Sequence, residues 1–504
     1  MKKSVGILSG LAVAIAVATT AGAWYTGKQL PAELQRSITQ GNDELKKALA
    51  NTGGSMTIEL ASLDQHFFTS TAHYRLKAQN IQLGEGETLN FDVGVVDRIE
   101  HGPFPWSRVK AFKLMPVMAT SNSELQKDDF TAPWFAAAGD KAPVSGQVSL
   151  GYGGTVDSDI RLAPVKLEQD GEKVLDFSGL QLRVIGDRDG KAAEIHANAD
   201  RLELNFADAQ DAPVKVLLNG FKIGGKLSET AHDMIYVGNI DLALADLQVT
   251  SGPKQEVLVL KGLQQNNLYS ADGEAKDKLS GRLEYKVSDI TYAGRKVGSG
   301  EMVFTMKSVD IPAMQALMEW YQARLPEVQQ AAAEGEALPS FDMTPEEQAK
   351  VQGDLQRLLA GKPQLAIEKL AFKTANGESQ FNLAMDFANP SSFDLPPDQL
   401  GKQLISRLHG KLSVSKPMIG DLATLQALLD GETDAQAIAQ QSGQAGEMVG
   451  MMALQSGMAT VQGNDVVSSL QYADGMVEFN GQKMTVEEFA MLISSQLAVL
   501  QPQG

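Results

Sequence analysis

The feature that most constrains this chain's fold is a two-residue apolar period that begins near Met56 and returns along most of its length. Ile195, Ala197 and Ala199 lead into Leu202, Leu204 and Phe206. Leu283, Tyr285 and Val287 alternate with Glu284, Lys286 and Ser288, and Phe381, Leu383, Met385 and Phe387 alternate with Asn382, Ala384 and Asp386. A period of two puts successive side chains on opposite faces of a strand, so each run predicts one apolar and one wet face. Asp170-Gly171, Asp189-Gly190, Asn219-Gly220, Asn376-Gly377 and Asn480-Gly481 punctuate the runs. Such dipeptides accept positive φ and suit hairpins, so the pattern predicts antiparallel strands rather than a doubly wound parallel sheet.

Helical spacing is confined to blocks. Leu34, Ile38, Leu45 and Leu49 recur among charges after Pro31 and predict a stalk or packing helix over 28–51, with a membrane-surface helix as the alternative. Met314, Leu317, Met318, Tyr321 and Leu325 form a stripe from Pro312 onward. Thr344-Pro345-Glu346-Glu347 carries a cap, a first-turn proline and a capping-box glutamate, and its helix should end before Gly361 and Pro363. A third block runs from Met418 to about Met458, broken at Asp430-Gly431, and Thr485 with Glu488 caps a last helix. Segments 335–341 and 393–397 read as loops. The expected fold is α+β: a large, mostly antiparallel, curved β-sheet meander with grouped helices, preceded by one N-terminal transmembrane helix. The expected organisation is an anchor over 1–27, the helix over 28–51, β-rich regions over 52–310 and 363–416, helical segments over 311–362 and 417–462, and a hairpin with a helix over 463–504.

The anchor is the uncharged run from Val5 to Tyr25, behind Lys2 and Lys3. About twenty apolar residues cross a hydrocarbon core of roughly 30 Å, and lysines ahead of the run favour a cytoplasmic N-terminus. That predicts a single-pass signal anchor in the inner membrane through residues 5–25, with the C-terminal bulk in the periplasm. Trp24, Tyr25 and Lys28 are the residue types favoured at a membrane interface. The rival reading is a cleaved signal peptide, for which Ala21-Gly22-Ala23 supplies the small residues.

Composition narrows the chemistry. With no cysteine there is no disulfide, thiolate metal site or cysteine nucleophile. A net charge of -18 repels phosphate backbones, so no nucleic-acid partner is expected. It also disfavours anionic head groups over a broad face, while a local apolar contact with lipid is compatible with it. His66 and His73 stand an odd number of residues apart in a segment read as strand and face opposite ways, and none of the six histidines forms HxxxH or HExxH. Gly220 to Lys226 imitates the start of a phosphate loop, but Leu227 replaces the required Ser or Thr, and strands flank it on both sides. Met448, Met451, Met452 and Met458 read as packing residues. No cofactor and no metal is expected, and no catalytic constellation is present.

One turn stands out as a candidate functional element: His101, Gly102, Pro103, Phe104 and Pro105, followed by Trp106. Two prolines and a glycine make it rigid and present its aromatics. This string, Ala23-Trp24-Tyr25-Thr26-Gly27-Lys28, Asp187-Arg188-Asp189-Gly190-Lys191, Leu470 to Gly475, and Asn480-Gly481-Gln482-Lys483-Met484 resemble, in order, the YdgA/YihF family of Gram-negative bacteria. The resemblance runs nearly end to end, with the stretch 311–417 matching by pattern. It implies an inner-membrane or periplasmic protein of unknown function and carries over no catalytic residue. The expected function is that of a non-enzymatic scaffold or binding protein of the cell envelope, with a lipid or an envelope protein as partner. The alternative is a lipid-binding or lipid-transfer groove, similar in idea to AsmA-like proteins.

Overall fold

The computed structural model describes residues 30–49, 54–84, 87–169, 171–207, 212–232, 235–325, 327–328, 341 and 343–500. The apolar run at 5–25, with Trp24, Tyr25 and Lys28, lies outside these residues, as does the expected loop at 335–341 apart from Phe341. Among the described residues no helix is long and apolar enough to cross a membrane. The chain divides into two compact units, Met1–Ser228 with Leu242–Glu256, and Glu229–Asp241 with Val257–Gly504.

The first unit opens with helix α1 (Leu30–Leu49) and strands β1 (Ser55–Gln65), β2 (Thr69–Gly84) and β3 (Glu87–His101). Helix α2 (Trp106–Lys110), β4 (Ala119–Leu125), α3 (Ala132–Ala137), β5 (Val144–Leu150) and β6 (Thr155–Leu162) follow. Then come β7 (Val165–Gln169), β8 (Glu172–Phe177), β9 (Leu180–Asp187), β10 (Ala192–Ala207) and β11 (Pro213–Glu229), and β12 (Tyr236–Ser251) follows in the chain. Strands β1 to β6 pair with their chain neighbours, all antiparallel. The meander is then interrupted: β6 pairs with β9, and the β7–β8 hairpin returns through β8 to β10.

Helix α1 is part of this unit's core rather than a free stalk. Leu30, Leu34, Ile38 and Leu45 are buried with Ile58, Tyr74, Leu76, Val93 and Val95. Its polar face also does something that apolar spacing does not announce. β1 pairs only with β2 among the described strands, which leaves backbone groups on its outer side. The Asn42 amide donates to the Ile58 carbonyl at 3.0 Å and accepts from the Ile58 N–H at 2.8 Å, so the helix covers that edge. Asn42→Ala would leave both groups unmet, and a loss of about 1–3 kcal/mol is expected in urea unfolding. An unchanged midpoint would mean that water replaces the amide.

The turns follow the sequence closely, with one exception. Asp189-Gly190 joins β9 to β10. Asn219-Gly220, expected as a hairpin, lies inside β11. Gly220 has φ +67°, and a Cβ there would sit 2.8 Å from the Ala245 Cβ, so it marks a close approach within a continuous strand. The whole phosphate-loop lookalike, Gly220 to Lys226, is extended strand with no helix N-terminus to hold an anion.

In the second unit the strands are β13 (Glu256–Asp272), β14 (Lys278–Tyr292), β15 (Arg295–Asp310), β16 (Gln364–Lys373), β17 (Glu378–Phe387) and β18 (Ile405–Ser415). They form an antiparallel meander. β18 then pairs with β20 (Asp465–Ala473), which carries β19 (Thr460–Gln462), β21 (Met476–Phe479) and, through β21, β22 (Gln482–Thr485).

Helices α4 (Ile311–Ala323) and α5 (Pro345–Ala360) stand between β15 and β16, and α6 (Pro397–Leu404) between β17 and β18, at one end of these strands. Helices α7 (Lys416–Leu429) and α8 (Ala435–Gln455) stand at the other end, and α9 (Val486–Leu500) closes the chain. Both capping boxes read in the sequence are formed. Thr344 and Glu347 exchange bonds at the head of α5, and Thr485 and Glu488 do so at the head of α9. The segment at 393–397 is a loop only up to Pro396, because Pro397 takes the first position of α6, where its missing N–H costs nothing.

Candidate functional site

The candidate turn at His101 lies at one end of the first unit's sheet, and chain direction brings two other turns beside it. The β1–β2 turn, the β3–β4 connection and the β5–β6 turn all fall at the same end, because consecutive strands are antiparallel neighbours. All three carry exposed apolar side chains. Phe67 and Phe68, packed edge to face at 4.7 Å, form the first tip. Phe104, Trp106, Phe112, Leu114 and Met115 crown the second, and Tyr152 stands on the third. Phe67 is 87% exposed and Phe112 88%. At the opposite end Phe91 is buried and stacks on Phe130, which meets Trp134 edge to face and is 40% exposed.

A buried polar layer fixes this rim. Gly102 has φ +94°, and its N–H donates to the Met118 carbonyl, while the Val117 N–H donates to the Pro103 carbonyl. The loop is therefore a tied projection of β3 and β4. The Glu100 carboxylate accepts from the Ser107 N–H at 2.8 Å and its hydroxyl at 2.7 Å, and buried Arg108 donates to Ser149 at 2.9 Å. These bonds clamp α2 to the sheet. Phe112 sits at φ +56°, a region that costs a residue with a Cβ about 1–2 kcal/mol. Glycine would hold that position without strain, yet an exposed phenyl ring occupies it.

His101 itself points inward. Its Nε2 is 2.9 Å from the Ser70 hydroxyl, and partial burial lowers its pKa. A Ser–His pair invites comparison with a nucleophile and its base, but Ser70 is fully buried and no substrate carbonyl can reach it. The pair braces the turn. His66 lies in the β1–β2 turn and His73 within β2, where it meets the Gln126 amide at 3.1 Å. Among the described residues no group of three His, Asp or Glu could hold a metal ion.

Sequence reasoning passed over Asp97. It is fully buried in β3, accepts a 2.6 Å bond from Ser121, and burial pushes its carboxyl up to about 7. Tyr74, diagonal to it across β2, is buried with its hydroxyl unpartnered, and desolvation raises its pKa further. No spacing rule exposes this pair, since the β2–β3 register alone brings it together.

The second unit offers another surface. Cross-strand partners share a sheet face, so the register writes out its apolar side. Leu283, Phe304, Ile367, Leu383, Gly410 and Leu470 stand in one row across six strands. Tyr285, Met302, Leu370, Phe381 and Leu412 form a second row, and Met306, Leu365, Met385, Leu408 and Tyr472 a third. Apart from Gly410, which is buried and has no side chain, none of these residues is fully buried, and Leu370 and Leu412 are 44% and 42% exposed. The first unit's core, by contrast, is closed by α1 and by Phe135 of α3. Met448, Met451 and Met452, expected as packing residues, are exposed on α8, and Met458 is half-buried. Two concavities of about 450 and 390 Å³ open along this sheet; Leu365, Ile367 and Leu383 of these rows line the larger together with the charged Lys307, Glu368 and Asp386.

Residues 1–487 match the family described as "Bacterial protein of unknown function (DUF945)". The chain belongs to this family. Protein YdgA of Escherichia coli (strain K12), a relative, is 28% identical over 499 residues, which span 97% of this chain and 96% of that protein. The uncharacterized protein YihF of the same organism is 25% identical over 493 residues, 95% of this chain and 97% of its own. An uncharacterized protein of Haemophilus influenzae is 21% identical over 325 residues, 63% of this chain and 85% of its own. No solved structure matches. DUF945 membership thus supplies a lineage without an activity, and the surfaces above carry the functional argument.

Proposed function

We propose that this protein is a single-pass inner-membrane protein of the cell envelope that binds lipid without chemistry, holding acyl chains on the apolar face of its second unit. In this reading residues 5–25 cross the membrane, Trp24, Tyr25 and Lys28 lie at its interface, and the bulk is periplasmic. One observation carries the proposal. Three apolar rows run across five or six strands each, and their side chains stay partly exposed because the helices gather at the strand ends. An apolar surface this continuous is unfavourable in water and invites an apolar occupant. The exposed methionines of α8 are the residue type that adapts to irregular apolar ligands.

The test is lipid extraction and mass spectrometry of the full chain, purified and washed in detergent. A phospholipid retained in stoichiometric amount is the expected result. A lipid-free protein would sink the groove in favour of a scaffold. Mass analysis of the mature N-terminus checks the anchor separately, and a chain that begins at Trp24 would overturn it.

A further inference from the structure

The aromatic rim of the first unit is opposite in character to the rest of this acidic chain. Segments 65–69, 101–119 and 150–155 contain Arg108, Lys110 and Lys113 and no carboxylate, in a protein of net charge -18. Of the carboxylates that flank these segments, Glu100 is buried and held by Ser107, and Asp64 stands exposed at the end of β1. Lys110 lies over the Trp106 ring, 5.6 Å from its centroid. Exposed aromatics flanked by lysines are the composition of a membrane–water interface.

The path of the chain points the rim at a particular surface. Asn42 of α1 is bonded to Ile58 of β1. Leu49 is seven residues past Asn42, about 10 Å along the helix, and Ser55 is three residues before Ile58, about 10 Å along the strand. If helix and strand ran antiparallel, these two ends would stand level. If they ran parallel, six residues would have to span about 20 Å along the axis plus the lateral offset, at or beyond the reach of a fully extended chain. Helix α1 therefore runs antiparallel to β1. Its first residue, Leu30, lies about 18 Å from Asn42, toward the end where β1 turns at Phe67. The chain thus enters the unit beside the rim, five residues after Tyr25 closes the apolar run.

We propose that this rim is a second membrane contact: Phe67, Phe112, Leu114 and Met115 enter the interfacial zone of the bilayer that residues 5–25 cross, with Lys110 and Lys113 at anionic head groups. It rests on the anchoring reading above and is independent of lipid on the second unit. A helix tethered at one point leaves the unit free to tumble, whereas a helix and a rim at the same end hold the sheet upright.

Because the chain has no cysteine, a single introduced cysteine takes the only label. Phe67→Cys, Phe112→Cys, Met115→Cys and, at the opposite end, Lys141→Cys would each carry a nitroxide in the full chain. The chains would be placed in nanodiscs of phosphatidylethanolamine and phosphatidylglycerol. The rim labels should show an oxygen-to-nickel-chelate accessibility ratio several-fold above that of residue 141. Lys110→Glu with Lys113→Glu should return the ratio toward the value at residue 141. Rim labels as open to the nickel chelate as residue 141 would overturn the contact while leaving the anchor intact. Rim labels closed to both reagents would overturn it in favour of a protein partner. Failure of the chain to enter the discs would overturn the anchor and the contact together.

Discussion

Raising the pH from about 3 to about 8 should cost the folded chain about 4 kcal/mol through Asp97 alone. The sign follows from where the proton goes. In the unfolded chain Asp97 ionises near its ordinary value of about 3.9. In the fold it is fully buried, and its carboxyl holds the proton up to about 7, against the pull of Ser121 and the Asn122 N–H. Between those values the unfolded state sheds a proton that the folded state keeps, so stability falls as pH rises. Beyond the upper value both states are ionised and the loss is complete. His101 works in the opposite sense: burial lowers its pKa, so it weakens the fold as pH drops. The clean measurement is therefore the difference between wild type and Asp97→Asn, which has no proton to lose and can still accept from Ser121. Urea unfolding near pH 4 and near pH 7.5 should show the variant gaining on wild type by most of that 4 kcal/mol. Exchange of the β3 amides would place the change in the first unit. Parallel profiles would mean that Asp97 is ionised in the fold throughout.

The second large effect separates binding from stability. Leu370→Glu and Leu412→Glu place charges on the middle row of the second unit, at side chains already 44% and 42% exposed. Substitutions at such sites move stability by roughly 0.5 kcal/mol or less. A carboxylate among acyl chains must stay solvated or take up a proton, and either displaces apolar contact. Retained phospholipid should fall tenfold or more, a difference of about 1.4 kcal/mol or greater in binding, with little change in the unfolding midpoint. Leu34→Ala is the counterpart in the first unit. Leu34 is fully buried between α1 and the sheet, so its truncation should cost about 2–5 kcal/mol and leave lipid occupancy unchanged. Lipid that survives both glutamates would show that the rows are not where it sits. A collapse of stability in the glutamate variants would show that these rows are sealed in solution.

Much of the architecture was legible in local patterns. Leu283, Tyr285 and Val287 belong to one face of β14, and Phe381, Leu383 and Met385 to one face of β17, as their alternation requires. Thr344 with Glu347, and Thr485 with Glu488, mark helix starts because a capping box is closed within four residues. Local pattern misled where a residue's role depended on a distant strand. Asn219-Gly220 is an ideal turn dipeptide that became strand, because Gly220 faces Ala245 at close range. The methionines of α8 have the composition of a core and stand in the open. The candidate turn at His101 was visible as two prolines, a glycine and two aromatics, but its companions Phe67 and Tyr152 were not, since each is an ordinary turn residue on its own.

The sequence by itself determined that strands dominate, that each has an apolar face, that helices begin at Thr344 and Thr485, and that an apolar run precedes them all. Those properties depend on periods and contacts spanning a few residues. The tertiary structure alone decided that α1 seals the first unit while the second unit's rows stay partly exposed, that Asp97 is buried beside Tyr74, and that three turns far apart in the chain form one cationic, aromatic rim. Each of those depends on strand register and on which end of the sheet a turn occupies. No local pattern of residues records either one.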